Sequence, residues 1–332
     1  MAKLDYAPVR GKMFITSYDD RMFLPSYVTP FLRNTARFGT INFITPAKNR
    51  LRRSKHSPVP GNSSVKILDP KALPQFGKIK TLFDGLFFNY STNSADVERA
   101  CFLRWFAVNQ ATADLDSEEY ICLLDTDFLI GTEPSRVLEI CQLVMADKKL
   151  ELIAEWEGLA PVAIGPELTI MTKSFLYSFC EYLLTDYFSP SNAGELRKGY
   201  FSRIGNGMPG GICDMRALAS FVKERGTECF NLRSLSTPGF IGNFNVFLGT
   251  ELAREISWKL SSSGGSQTLE TSSRTLELVG THFQGSAKRY MEELIPAAGE
   301  SGFLSKEVVR KSRAKADYGA QIVGFARRIQ AK

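Results

Sequence analysis

The chain has 332 residues, 44% of them hydrophobic and 23% charged, the balance of a soluble globular protein with room for one large domain or two small ones. No apolar run reaches membrane-spanning length, the opening M-A-K-L-D-Y-A-P-V-R-G-K lacks the apolar core of a secretory signal, and two histidines, His56 and His282, are too few for a three-histidine metal centre. The net charge of +6 sits in the tail, where Lys306–Lys332 holds eight basic residues and two acidic ones, 8 − 2 = +6; the remainder is neutral and gives no reason to expect a nucleic-acid partner.

The expected location is the cytoplasm. The six cysteines fit it: none are spaced as zinc ligands, and most have apolar neighbours, as reduced core thiols do.

Lys12–Ser17, K-M-F-I-T-S, is predicted as a buried strand ending at Tyr18, Asp19 and Asp20. A helix is predicted over Leu24–Phe38, with Pro25 in its first turn and Gly39 beyond its end, then a second strand over Thr40–Thr45. Strand, helix, strand at this spacing opens a parallel α/β fold. Tyr18 and Asp19 at the strand tip admit two readings, a capped turn or a nucleotide site with an aromatic face and a carboxylate. Lys48–Lys55 carries five basic residues in eight and reads as a solvated loop, with a phosphate-holding patch as the alternative. Val65–Leu68 is a short strand. Ser94–Asn109 is a helix capped by Ser94, and Arg104 lies beside its apolar stripe. A guanidinium there needs an acceptor, either a structural carboxylate or a bound sugar or phosphate.

Tyr120–Leu124, Y-I-C-L-L, is apolar throughout, the pattern of a strand buried on both faces. It runs into Asp125-Thr126-Asp127, a second apolar run Phe128–Ile130 and a break at Gly131. Two carboxylates at the C-terminal end of a buried strand are costly without a counter-charge. Ligands collect at that end of open α/β sheets, and Mg2+ or Mn2+ carrying phosphate oxygens suits the pair. A turn cap is the plainer alternative.

Pro134 starts a helix to about Asp147, Leu150–Trp156 is a strand, and Ser174–Tyr187 is an aromatic-rich helix. Ser189–Gly211, with glycines at 194, 199, 205, 207, 210 and 211, is expected as a long irregular segment lining a site. Gly210–Met215 is expected as a short strand feeding a helix to about Arg225; Asp214 is either the cap of that helix or a carboxylate near an acceptor hydroxyl. Cys229–Leu232 is a short strand, and Phe240–Asn245 follows a Pro-Gly turn. Lys259–Arg274 is polar and of low complexity, expected as a flexible excursion or lid. Leu276–Val279 is a strand delivering T-H-F-Q-G-S-A-K, after which a helical pattern resumes to about Leu294. The tail Ser305–Lys332 is expected as one amphipathic basic helix, packed on the core or lying on the inner face of an anionic membrane.

Asp125 and Asp127 are followed 155 residues after Asp127 by His282, a suitable third ligand for Mn2+. Lys288 supplies a point charge for a diphosphate, and Gly285 lets backbone approach it.

The chain resembles glycosyltransferases of the GT-A fold, in particular the bacterial galactosyltransferase and glycogenin-like group. M-F-I-T-S-Y-D-D resembles the first strand and base-binding turn, C-F-L-R-W the helix whose arginine touches the donor sugar, L-L-D-T-D the metal-binding motif, and T-H-F-Q-G-S-A-K the C-terminal H-x-x-G-x-x-K. The resemblance implies a mainly parallel sheet flanked by helices over 1–300, with a nucleotide-sugar half to about 130, an acceptor half beyond it, and a basic helix over 301–332. It implies transfer, with retention, from a nucleotide-diphosphate sugar, UDP-linked by expectation, to a saccharide, lipid-linked or protein hydroxyl. Asp125, Asp127 and His282 would bind Mn2+ or Mg2+; Thr16, Tyr18, Asp19, Arg104, Asp125, Gly285 and Lys288 would hold the donor; Asp214 would be the base if the outcome were inverting.

Two departures stand out: Arg289-Tyr290 where the family has Pro-Trp, and Met208-Pro209-Gly210-Gly211 in place of an Asn-Ala-Gly segment. A haloacid-dehalogenase-type phosphatase also carries D-x-D after a strand, but wants Thr or Val where Leu129 stands. A pyrophosphorylase would need a glycine-rich loop where Tyr18-Asp19-Asp20-Arg21 stands. A non-catalytic sugar-nucleotide-binding module is the remaining alternative.

Overall fold

The computed structural model describes residues 13–46, 64–145, 150–156, 161–207, 211–226, 228–234, 240–245, 258–263, 266–271, 275–283, 285–295 and 302–305. Strand β1 (Phe14–Tyr18) leads through helix α1 (Val28–Thr35) to β2 (Ile41–Ile44), β3 (Val65–Leu68), α2 (Phe76–Leu86) and α3 (Ala95–Ala111). Then come β4 (Tyr120–Leu124), β5 (Phe128–Ile130), α4 (Pro134–Met145), β6 (Leu152–Trp156), β7 (Ile164–Thr172) and α5 (Lys173–Tyr182). Helices α6 (Pro190–Gly205) and α7 (Asp214–Arg225) precede β8 (Cys229–Asn231), β9 (Phe240–Asn245), β10 (Trp258–Ser263), β11 (Ser266–Thr271) and β12 (Thr275–His282). A 3-10 turn (Gly285–Tyr290), the single turn α8 (Met291–Leu294) and β13 (Gly302–Ser305) follow.

The main sheet has seven strands in the order β3-β2-β1-β4-β7-β6-β8. All run one way except β7, which is antiparallel to both β4 and β6. The second sheet runs β13-β10-β11-β12-β5, with β9 parallel to β12. The apolar run of β4 is continuous because successive side chains enter opposite cores. Cys122 and Leu124 pack with α1, α4 and the second sheet, whereas Ile121 and Leu123 pack with α2, α3, α5 and α7. Each of the leucines and Ile121 contributes roughly 1.5–3 kcal/mol by leaving water. This mixed α/β architecture, mainly parallel and flanked by helices, is the expected fold class.

Several elements differ from expectation. Ser189–Gly211 is mostly helix: Ser189 caps Asn192, Pro190 occupies the first turn, and α6 continues to Gly205 through two glycines. Lys259–Arg274 contains the paired strands β10 and β11, with Leu260, Leu269 and Gln267 buried, so the polar composition concealed an alternating pattern rather than a flexible excursion. Cys213 stands at the N-cap position of α7 without a side-chain cap bond, and the described residues immediately before it, 211 and 212, form no strand. Helix α1 begins only at Val28, because Pro25 first accepts the turn bond from its amide. Helix α2 and strand β7 carried no expectation. The expectations over 48–55, 208–210 and the tail beyond Ser305 lie outside the described residues; Gly302–Ser305 itself is strand, not helix. All six cysteines are thiols. Among the described residues no helix is long and apolar enough to cross a membrane.

Candidate functional site

The Asp125-Thr126-Asp127 turn carries the chain from the main sheet, at the end of β4, into the second sheet, at the start of β5. Two backbone bonds fix it: Phe128 N donates to Asp125 O at 3.0 Å, and Asp125 N donates to Glu167 O on β7 at 3.1 Å. Antiparallel pairing of β5 with β12 sets His282 opposite Phe128, and Phe283 N donates to Asp127 O at 2.9 Å. The two ends of the sequence pattern therefore meet through strand register.

His282 lies between two carboxylates. Its Nε2 is 3.5 Å from Asp127 Oδ1, and its Nδ1 is 3.4 Å from Glu167 Oε1. Beyond β12, buried Ala287, Tyr290 and Met291 anchor the 3-10 turn, and Lys288 Nζ reaches Asp127 Oδ2 at 2.7 Å. Burial acts to raise the Asp127 carboxyl, but His282 and Lys288 outweigh it and hold its pKa below the ordinary value. Burial acts to lower the His282 imidazole, but Asp127 and Glu167 leave it raised. Glu167 is pushed up to about 7, chiefly by burial.

On the other side, Arg104 of α3 bridges Asp125 and Asp214. Nε donates to Asp214 Oδ2 at 3.0 Å, Nη2 donates to the same oxygen, and Nη1 donates to Asp125 Oδ1. Trp105 Nε1 also donates to Asp214 Oδ2, at 2.9 Å, and Met215 N donates to Oδ1. Burial acts to lower the guanidinium's pKa, and the two carboxylates outweigh it. For Asp125 burial prevails, and its carboxyl is raised in spite of Arg104. Asp214 thus stands at the first position of α7 with its carboxylate committed to Arg104 and Trp105.

At the tip of β1, Arg21 Nε donates to Asp19 Oδ1 at 2.8 Å, Nη2 donates to Oδ2, and Nη1 donates to the Tyr27 hydroxyl at 2.8 Å. Lys288 Nζ lies 5.0 Å from the centre of the Tyr27 ring. A chain of contacts thereby joins Asp19 through Arg21, Tyr27 and Lys288 to Asp127. Tyr18 is half-buried at the strand end, its phenol raised by burial. Thr16 lies deeper, fully buried, its hydroxyl donated to Asn42 O at 2.8 Å within the sheet. Gly285 opens the turn that bears Lys288.

The structure gathers Asp125, Asp127, His282, Lys288, Arg104 and Asp214 into one contiguous network, with Tyr18 and Asp19 at its edge and Thr16 inside the sheet. Sequence reasoning missed Glu167, Arg21, Tyr27 and Trp105. Recognising Ile164–Thr172 as a strand beside β4 was the signal for Glu167; Trp105 follows Arg104 directly, but nothing local assigned it a carboxylate.

Two carboxylates and an imidazole, with a third carboxylate behind, form a donor set suited in chemistry to Mn2+ or Mg2+. Among the described residues no three such side chains are already gathered as a metal-ligand group. Lys288 stands on Asp127, and Arg104 on Asp125. The donors fit the ion by type, and Glu167 Oε2, shielded from solvent, has no hydrogen-bond partner among the described residues.

No family model matches the chain, and no curated protein matches it in sequence. In structure it is similar to mouse xyloside xylosyltransferase 1, with a TM-score of 0.42 and 11% identity over 70% of this chain and 87% of that one. It is also similar to a galactosyltransferase, LgtC, solved with donor and acceptor sugar analogues, with a TM-score of 0.37 and 11% identity over 87% of this chain and 98% of that one. A glycosyltransferase involved in glycosylation of the major capsid of PBCV-1 gives a TM-score of 0.33 and 12% identity over 84% and 98%.

Proposed function

We propose that the chain is a metal-dependent glycosyltransferase that moves a sugar from a UDP-linked donor to a hydroxyl of a saccharide, lipid-linked or protein acceptor, with retention. The observation that carries this reading is the Asp125-Thr126-Asp127 turn at the join of the two sheets, with His282 and Lys288 both brought against Asp127. A phosphatase would leave His282 without a part.

Asp125, Asp127 and His282 are the residues that would hold Mn2+ or Mg2+, whose charge would offset that of the departing diphosphate. Lys288 leaves Asp127 for the diphosphate and adds a second positive charge where negative charge develops. Arg104 has five N–H donors, and three are used on Asp214 and Asp125. The remaining two are available to sugar hydroxyls. Asp214 and Trp105 fix the guanidinium plane, so we assign Asp214 to orienting Arg104 rather than to removing the acceptor proton. Retention, which needs no protein base at that position, agrees with the assignment. Tyr18 and Asp19 hold the base and ribose end, with Arg21 keeping Asp19 in place.

The reading is tested by UDP release from a panel of UDP-sugars with Mn2+. At least one donor is expected to turn over, and Asp127→Asn is expected to lose about 100-fold or more of that rate, the scale of losing one preorganised electrostatic group. A panel that the wild-type protein leaves intact, with and without added sugar acceptors, counts against it.

A further inference from the structure

Behind His282, on the side away from Asp127, stands a part-buried carboxylate with no part in the scheme above. Glu167 comes from β7, the one reversed strand of the main sheet. Pairing of Leu124 with Leu168 sets it beside Asp125, whose amide donates to the Glu167 carbonyl at 3.1 Å. Its Oε1 faces His282 Nδ1 at 3.4 Å, while its Oε2 is shielded from solvent and has no hydrogen-bond partner among the described residues.

An orphaned carboxylate oxygen is expensive to bury, and an apolar side chain of similar size would fill the space at less cost. The chain also makes room for it. At Gly165, two residues back on the same face of β7, a Cβ would overlap Glu167 Oε2 and lie 2.9 Å from its Cδ. The missing side chain at 165 is the space that the carboxylate occupies.

We propose that Glu167 is a positioning residue of the cation site: its carboxylate accepts from His282 Nδ1 and so turns Nε2, as the bare ring nitrogen, toward the ion held with Asp127. The inference rests on the reading of Asp127 and His282 as cation ligands. Carboxylates set behind metal-binding imidazoles fix both the ring orientation and which nitrogen carries the proton. A purely structural contact would exist for stability, and its removal would lower stability. A positioning contact that buries an orphaned oxygen predicts no such loss.

The experiment measures Mn2+ affinity by calorimetry in the presence of UDP, with thermal unfolding of the metal-free protein alongside. Glu167→Leu removes the acceptor and is expected to weaken Mn2+ by about 10–100-fold, the usual effect of losing such a partner, without lowering Tm. Glu167→Gln keeps an acceptor oxygen and is expected to recover part of the loss. Gly165→Ala leaves Glu167 in the chain but displaces its carboxylate, and is expected to weaken Mn2+ likewise. The chain has only two histidines, so a nitrogen spectrum of the metal-free protein also reports the proton on His282 Nδ1, which Glu167→Leu is expected to lose. Mn2+ affinity within twofold of wild type in both Glu167→Leu and Gly165→Ala would overturn the inference while leaving the functional reading intact. A wild-type protein without Mn2+-dependent UDP binding would overturn both.

Discussion

Lys288 holds the carboxylate that the ion would need. Its ammonium sits 2.7 Å from Asp127 Oδ2, part-exposed, with the Tyr27 ring beside it. In the absence of a donor this pair neutralises one of the two aspartates, and Arg104 neutralises the other. Under the proposed function a diphosphate would compete with Asp127 for Lys288, and its arrival would free Asp127 for the ion. The two ligands would then favour one another through this one side chain. Substitution separates the two roles of Lys288. Lys288→Met is expected to strengthen Mn2+ binding to the nucleotide-free protein several-fold, because Asp127 loses its competing cation. The same variant is expected to weaken UDP binding in the presence of Mn2+ by about tenfold, the loss of one charge-assisted contact of roughly 1.5 kcal/mol. Calorimetry of each ligand alone and together checks both signs. A variant weaker for both ligands would mean that Lys288 only props the turn.

At the scale of elements, the contact between β5 and β12 sets the distance between Asp127 and His282. The two strands approach closely because Gly280 has no side chain. A Cβ there would overlap the Phe128 ring and lie 2.8 Å from the Leu129 carbonyl oxygen, which is backbone. Gly280→Ala is expected to cost about 1–3 kcal/mol through overpacking, read as a lower urea midpoint with unchanged slope. Because Phe128 is paired with His282, the same variant is expected to weaken Mn2+ binding as well. Elements with both faces buried, such as β4, were legible in the sequence because nothing polar interrupted them. Helix α3 was legible for a different reason: Ser94 caps it in the ordinary way. Helix α6 was not, since Gly194 and Gly199 break its pattern and none of its residues is buried to mark an inward face. The β10–β11 pair was hidden by serines and threonines occupying strand positions that usually carry larger residues.

For the whole molecule, two cores lie on opposite faces of one sheet, and a second sheet is joined to the first by the Asp125-Thr126-Asp127 turn. That join explains why the candidate site draws on residues far apart in the chain. Arg104 and Asp214 arrive from helices on one face, and His282 and Lys288 from the second sheet and the turn after it. The charged motifs were legible because acidic pairs and a spaced His and Lys stand out in apolar surroundings. Their partners were not, because Glu167 and Trp105 are placed by strand order and helix packing that no local pattern records.

If the turn joining the sheets is a cation-dependent nucleotide-diphosphate site, UDP binds there only together with the ion and through Asp127. Isothermal calorimetry of UDP, with and without Mn2+, on the wild-type protein and on Asp127→Ala tests it most directly. The account predicts UDP binding that requires Mn2+ in the wild type and disappears in the variant. Mn2+ binding at this site with no UDP binding, or UDP binding indifferent to both Mn2+ and Asp127, would contradict it.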